Sequence, residues 1–329
     1  MLIRRKAEAR SCDPYARRVL DLLTGFAVVG LAILLGWVIG RIDLLGPQAP
    51  YVLGRLTFFV LSPFLLFVVL SQADVKTLFS ALLPVSAIAA VVVFVIYILV
   101  ARLAWRRSVG ETLIGTLSAG QVNSNNIGIP LSLYLLGDAA YPAPVILLQL
   151  VIMTPISMAI FEAVTTGQRR PLPILRRTVT NPVVVGSVLG VAASLADLSL
   201  PPIVLEPLTL VANACVPVLL ISYGISLHGR RVLGTIGHRR DVVLASALKL
   251  LVMPLAAWAT AAFLFRLSPG DILIVTVLAA LPTAQNVFNY SQRFGIGEPI
   301  ARDTVLLTTV GCVPILLLVT WLLGPGPGA

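Results

Sequence analysis

The sequence predicts an all-α integral membrane protein with ten membrane-spanning helices. Of its 329 residues, 58% are hydrophobic and 12% are charged, whereas a soluble domain carries about 25% charged residues. Ten apolar segments reach roughly the 20 residues that a helix needs to cross a lipid bilayer. No segment shows the alternating pattern of a membrane β-strand, so the spans are expected to be helices.

The apolar segments divide the chain into two sets of five. In chain order they are 19–40, 51–71, 80–101, 112–136, 143–162, 182–198, 207–227, 242–265, 271–292 and 304–323. The predicted organisation is a basic N-terminal arm (1–18), a first five-helix set (19–162), a basic cytoplasmic loop (163–181) and a second five-helix set (182–329). The run after the arm lacks an A-x-A cleavage pattern, so we interpret it as a span and not a signal peptide.

Lysines and arginines gather in alternate loops. Fifteen lie in five alternate connections, whereas the other connections hold only Lys76 and Arg266, and the arm holds six. Because cytoplasmic loops collect Lys and Arg, the loops predict that both termini lie outside the cytoplasm, although the arm alone argues the opposite. The same rule explains the net charge of +10 without nucleic acid, and it makes membrane lipids the expected neighbours.

Segments 4 and 9 match each other when the chain is shifted by 160 residues. Residues 111–138 then align with 271–298 without a gap and share six identities, among them Asn126 with Asn286. Both segments turn polar at the same depth. Because each half holds five helices, the second half would run upside down relative to the first. The pattern therefore predicts an inverted-topology repeat, a feature of secondary transporters.

Both matched segments carry amides and a helix breaker near their centres. Residues 119–130 read AGQVNSNNIGIP and residues 281–286 read LPTAQN. Gly and Pro weaken a helix, and an interrupted helix exposes backbone groups that lipid cannot satisfy. The breaks are therefore predicted to cross at a protein-lined cavity, where their N-terminal helix ends would attract an anion. The alternative is that the amides only hold helices together. The predicted binding residues are Asn123, Asn125, Asn126, Gly128, Pro130, Pro282, Thr283, Gln285, Asn286 and Asn289.

Few charged side chains lie inside the apolar segments. For Lys249, in segment 8, three roles are open: balancing a substrate carboxylate, steadying a helix break, or reaching the interface with its long stem. Asp74 follows segment 2 and Glu162 closes segment 5; either could carry a coupling proton if burial raised its pKa. No carboxylate lies at mid-membrane, so the sequence does not choose between proton and sodium as the coupling ion.

Motifs for enzyme or metal chemistry are missing from the sequence. It contains no H-E-x-x-H, both histidines fall in one predicted loop, and no aspartate pair lies at membrane depth. The three cysteines have neither C-x-x-C nor zinc spacing. We therefore expect a protein that is not an enzyme and that has no cofactor and no metal. A channel or a receptor remains an alternative, although a channel needs a continuous pore.

The motif strings resemble the auxin efflux carrier family, which includes plant PIN-type carriers and bacterial permeases. The resemblance runs from about residue 20 and is most specific in NSNNIGIPL (123–131) and LPTAQNVFNYSQRFG (281–295). It implies two inverted five-helix repeats, with helices 4 and 9 crossing beside the substrate, and a transport part that slides against a scaffold. It also implies small organic anions as cargo, such as auxin or dicarboxylates, and suggests a homodimer. The alternative among transporters is a sodium-coupled carrier related to the bile acid symporters, which share crossed helices.

Overall fold

The computed structural model describes residues 30–72, 82–136, 141–167, 179–198, 200–229 and 231–324, together with single positions at 27, 138, 172 and 176. Within these ranges the regular structure is helical, apart from one isolated two-residue bridge. The predicted all-α class is therefore confirmed. The N-terminal arm (1–18), Asp74 and most of the predicted 163–181 loop lie outside the described residues.

The helices follow the predicted apolar segments. They are α1 (Gly30–Arg41), α2 (Ala49–Ser71), α3 (Leu82–Ala104), α4a (Val109–Gly120), α4b (124–136), α5 (Ala143–Thr166), α6 (Pro182–Leu195), α7 (Pro202–Leu227), α8 (Ile236–Leu264), α9a (Pro269–Ala280), α9b (Asn286–Phe294) and α10 (Glu298–Leu323). Among the helices that the structure describes, six are long and apolar enough to cross a membrane, namely α2, α3, α5, α7, α8 and α10.

Three helices begin five or six residues earlier than their hydropathy predicts. α7 starts at Pro202 and not at 207, α8 at Ile236 and not at 242, and α10 at Glu298 and not at 304. In each case charged residues occupy the first turns, Glu206 in α7 and Asp241 in α8 among them. A prediction from hydropathy therefore places the start of each of these helices after its polar first turns.

A first packing group consists of α1, α2, α6 and α7. α2 packs along α6 and α7, and glycines let α1 meet α7 backbone to backbone. A Cβ added at Gly36 would lie 2.2 Å from the Ile221 carbonyl oxygen, and one at Gly224 would lie 2.1 Å from that of Ile33. Small residues at such contacts are how helices approach each other closely inside a membrane.

A second packing group consists of α3, α4a, α8, α9a and α10. α3 packs against α4a and α8, and α9a packs against α8 and α10. These helices share one apolar core, which includes Tyr97, Leu278 and Leu316. α5 and α9b lie between the two groups and contact both, and a separate apolar core around Phe58, Phe161 and Phe288 fills that seam.

Candidate functional site

Two helices are interrupted at matched positions, as the sequence predicts. After α4a the backbone is extended at Gln121 (φ −79°, ψ 131°), and after α9a it is extended at Leu281 (φ −57°, ψ 153°). Val122 and Thr283 then face each other in an isolated antiparallel bridge. The two interruptions therefore cross and pair with one another.

The crossing is held by backbone hydrogen bonds between the interruptions. The Asn123 N–H donates to the Pro282 carbonyl at 2.9 Å, and the Ala284 N–H donates to the Gln121 carbonyl at 3.1 Å. A buried backbone group without a hydrogen-bond partner costs free energy. Each interruption therefore provides partners for backbone groups that the other interruption leaves without a helical partner. Pro282 suits this position because it has no N–H of its own to satisfy.

Side chains form hydrogen bonds with the backbone groups that are not paired in the bridge. In a continuous helix the Ser118 carbonyl would accept from residue 122; here it accepts from Thr283 Oγ1 at 2.6 Å. The Thr283 N–H, three residues beyond the end of α9a, donates to Thr308 Oγ1 on α10 at 3.1 Å. Both threonines are fully buried. Thr283 therefore donates twice at the centre of the crossing, through its hydroxyl and through its N–H.

Gln149 on α5 forms hydrogen bonds with the backbone at the first break, and the sequence did not lead us to predict this role. Its Oε1 accepts from the Val122 N–H at 2.7 Å, while its Nε2 donates to the Val122 carbonyl and to Ser124 Oγ, both at 3.1 Å. It lies in a wide π-type turn just before Pro155, which removes one helical donor and loosens the ladder. The available signal was that Gln149 is the one amide side chain in segment 143–162.

Lys249 on α8 contacts the backbone of α9a next to the second break. Its side chain is fully buried, and Nζ donates to the Ala279 carbonyl at 2.9 Å and to Met253 Sδ at 3.0 Å. In a continuous helix the Ala279 carbonyl would accept from residue 283, whose N–H is directed elsewhere. Of the three roles open from the sequence, this geometry matches the steadying of a helix break.

A cavity of about 50 Å³ lies beside the crossing. Amide, hydroxyl and phenol groups from the crossing, α5 and α9b form one wall, and side chains of α2 and α7 form the other. No charged side chain lines it in the part of the chain that the structure describes. The polar wall comprises Gln121, Asn123, Ser124, Gln149, Thr154, Gln285, Asn286 and Tyr290, and the opposite wall includes Leu65, Leu66, Val69, Cys215, Val216 and Leu219.

The predicted binding residues fall in several places. Asn123, Gln285 and Asn286 line the cavity. Pro282 and Thr283 form the crossing and do not line the cavity. The side chains of Asn125, Asn126 and Pro130 lie outside what the structure describes.

The other predicted residues lie near the cavity without lining it. Asn289 is buried one turn along α9b, with 2% of its surface exposed. Gly128 faces Leu281, and a Cβ there would lie 3.0 Å from a methyl group of that leucine. Glu162 is half-buried in the last turns of α5, away from the cavity lining.

A charged network joins α3, α4a and α8 at the arginine-rich end of the second group. Asp241, fully buried, accepts from Tyr97 Oη at 3.1 Å and pairs with Arg107 at 2.6 Å. Beside it, Glu111 lies 3.0 Å from His238. Burial opposes ionisation of Glu111, but hydrogen bonds from His238 and from the helix-capping serine outweigh it and lower the pKa of that carboxyl. The network ties three helices of one group together.

Two comparisons relate the chain to known membrane transport proteins. The family model described as "Membrane transport protein" matches residues 22–320. A protein of Rhizobium meliloti (strain 1021) named "Putative malonate transporter" is 27% identical over 259 residues, which cover 75% of this chain and 79% of that protein. The family match confirms the resemblance to the auxin efflux carriers and indicates a transporter and not an enzyme. Since the match covers nearly the whole length, the chain belongs to the membrane transport protein family.

Proposed function

We propose that this protein is a secondary transporter that moves small organic anions across a membrane by alternating access. The observation that carries the proposal is the cavity beside the crossing, polar on one wall and lined by no charged side chain among the described residues. Amides and helix ends can donate to a carboxylate without a fixed cation that would hold it too tightly to release. The similar protein named for malonate makes a small dicarboxylate the first substrate to test.

The anion would be bound where two helices begin. α9b starts at Asn286 and α4b starts just after Asn123, so both N-terminal ends lie next to the cavity that these residues line. The first N–H groups of a helix have no partner within it, and the helix dipole adds positive partial charge there. Asn123, Gln285 and Asn286 would add side-chain donors around the carboxylate.

Local features that recur 160 residues apart support two inverted five-helix repeats. Ser108 and Ser268 each cap a 12-residue helix, α4a or α9a, by accepting from the N–H three residues on. Arg106 and Arg266, which precede them, are both left-handed, with φ of 52° and 50°. The wide turn that ends α3 recurs at the end of α8. We propose that these two stretches are equivalent halves of one transporter and that they cross at their breaks.

Alternating access requires one part of the protein to move past the other. The cavity lies on the seam between the two packing groups, because its apolar wall comes from α2 and α7 and its polar wall from the crossing. We propose that the first group is the scaffold and that the second group carries the substrate. Sliding along the seam would expose the cavity to one side of the membrane and then to the other.

Location, coupling and assembly remain part of the proposal. We place the protein in a bacterial inner membrane, with the arginine-rich ends of α4a and α8 in the cytoplasm and with both termini outside. The coupling ion is a proton or sodium, and the working unit is a homodimer. Transport that requires sodium would favour the bile-acid-symporter-like alternative.

Uptake by reconstituted vesicles tests the proposal. We expect the purified protein to catalyse saturable uptake of labelled malonate or another small carboxylate. The double variant N123A/N286A should lose at least about tenfold in uptake, since it removes two hydrogen bonds to a charged group. Asn213→Ala, an exposed amide on α7, is the matched control and should transport normally. Full uptake by the folded double variant would remove these amides from the site, and no uptake of any small carboxylate by the unaltered protein would refute the transport proposal.

A further inference from the structure

A second cavity lies between α2 and α9b, away from the crossing. It is a groove of about 280 Å³, larger than the central cavity, and it opens at the end of the molecule where α2 begins. α2 contributes Tyr51 and Arg55 to it, and α9b contributes Gln292 and Arg293. The two arginines therefore come from α2 of the first packing group and from α9b in the seam, and they face one space.

Both guanidinium groups are positioned on the same aromatic ring. The Cζ atoms of Arg55 and Arg293 lie 5.4 and 4.8 Å from the centroid of the Phe59 ring. Arg293 also lies over Phe58 at 5.7 Å, and Arg55 donates to the Tyr51 hydroxyl at 2.8 Å. Such cation–π contacts fix a flexible arginine without neutralising it.

The groove holds two arginines and one carboxylate, and neither arginine pairs with that carboxylate. Within the described residues, neither Arg55 nor Arg293 forms an ion pair, whereas Arg107 and Arg302 do. Glu298 also lines the groove but pairs with neither. The two arginines and one carboxylate leave the groove with a net positive charge, which attracts anions, and a guanidinium prefers a planar oxyanion as its partner.

Aromatic side chains separate the groove from the central cavity. Phe58 and Phe161 are fully buried, and both contact the Tyr290 ring at a centroid distance of 6.5 Å. Tyr290 lines the central cavity, and Arg293, three residues further along α9b, lines the groove. The groove therefore lies one turn along α9b from the central cavity, beyond the rings of Phe58, Phe161 and Tyr290, which we call the aromatic plug.

We infer that Arg55 and Arg293 form a second anion site, which binds a carboxylate or phosphate group outside the aromatic plug. Because one arginine belongs to α2 of the first packing group and the other to α9b in the seam, an occupied site links these two helices in this conformation. The identification of the ligand with the transported carboxylate rests on the proposed function. A phospholipid headgroup, which offers the same oxyanion chemistry, is the other source.

The double variant R55Q/R293Q tests this site. Its matched control is Arg41→Gln, since Arg41 is an exposed arginine that lies 5.4 Å from the Trp37 ring and outside the groove. In vesicles of neutral phosphatidylcholine, the double variant should raise the KM for malonate by about tenfold, the loss expected for two partly exposed charge-assisted contacts. Its Vmax should be unchanged because the central cavity is intact.

A second measurement separates the two sources of the anion. Apparent Tm in detergent is recorded with malonate and, separately, with short-chain phosphatidylglycerol, since a ligand that binds the native state raises it. A malonate effect lost in the double variant and kept in the control supports a docking site for the carboxylate. A phosphatidylglycerol effect lost in the same way, with KM unchanged, supports a headgroup site.

A double variant that behaves as Arg41→Gln does in both measurements overturns the inference. In that case transport by the unaltered protein leaves the proposed function standing. If the unaltered protein transports no carboxylate, the proposed function fails, and the Tm measurements still decide whether the groove binds an oxyanion.

Discussion

Replacing Thr308 by valine tests whether the crossing depends on partners outside the two broken helices. Thr308 Oγ1 accepts from the Thr283 N–H at 3.1 Å and donates to the Thr304 carbonyl at 2.7 Å. Thr308 and Thr283 are both fully buried, and Thr308 does not line the central cavity. Valine keeps the shape of the side chain and removes only the oxygen.

The cost of this change follows from what each group loses. The Thr304 carbonyl keeps its backbone partner within α10, so its loss is small. The Thr283 N–H has no such partner, because its helical acceptor, the Ala279 carbonyl, is bound by Lys249. A buried donor left without an acceptor costs about 1–3 kcal/mol, so in a chain of 329 residues Thr308→Val should lower the apparent Tm by roughly 1–4 °C.

The neighbouring threonine provides the control. Thr309 Oγ1 donates to the Val305 carbonyl at 2.7 Å, within its own helix, so Thr309→Val should change stability by under about 0.5 kcal/mol. Apparent Tm in detergent, followed by intrinsic tryptophan fluorescence, compares the two variants. If both unfold at the same temperature as the unaltered protein, the Thr308 hydroxyl does not support the crossing, and the assignment of its hydrogen bond is wrong.

Two further substitutions test the charge of the cavity and the role of Lys249. Gln149→Glu keeps the acceptor for the Val122 N–H but adds a negative charge to the cavity wall, so uptake of a labelled dicarboxylate at neutral pH should fall by at least about tenfold; unchanged uptake would mean that the anion does not enter this cavity. Lys249→Met removes the donor to the Ala279 carbonyl but no group that lines the cavity, so the Vmax of transport should fall while KM stays within about twofold. A KM that instead rises by tenfold or more at constant Vmax would make Lys249 the charge partner of the substrate.

The helix breaks could be predicted because their cause is local. Pro282 cannot donate to a helical ladder, and the amides around it and around Asn123 would be costly in lipid. The alignment of the two segments at a shift of 160 residues also predicted that the two breaks lie at the same depth. From these facts alone it follows that the breaks must pair with something, and the antiparallel bridge between Val122 and Thr283 is the pairing that forms.

The partners of the breaks could not be predicted in the same way, because they are distant in the sequence and unremarkable alone. Thr308 is one of several threonines in α10, and it differs from Thr309 only in the direction it faces. Gln149 is a single amide in an apolar segment. Which of these side chains reaches a broken helix depends on how α5, α8 and α10 pack, and periodicity within one segment carries no such information.

The origin of these partners bears on which part of the protein moves. Lys249 on α8 and Thr308 on α10 bind the second break, and both helices belong to the second packing group. Across the cavity, α2 and α7 present aliphatic side chains such as Leu66 and Leu219, which form no hydrogen bonds and can slide past a neighbour at little cost. Hydrogen bonds thus join the crossing to the second packing group, whereas apolar contacts separate it from the first packing group. If the groups move relative to each other, the seam at α2 and α7 should yield first, and the substrate would travel with the crossing.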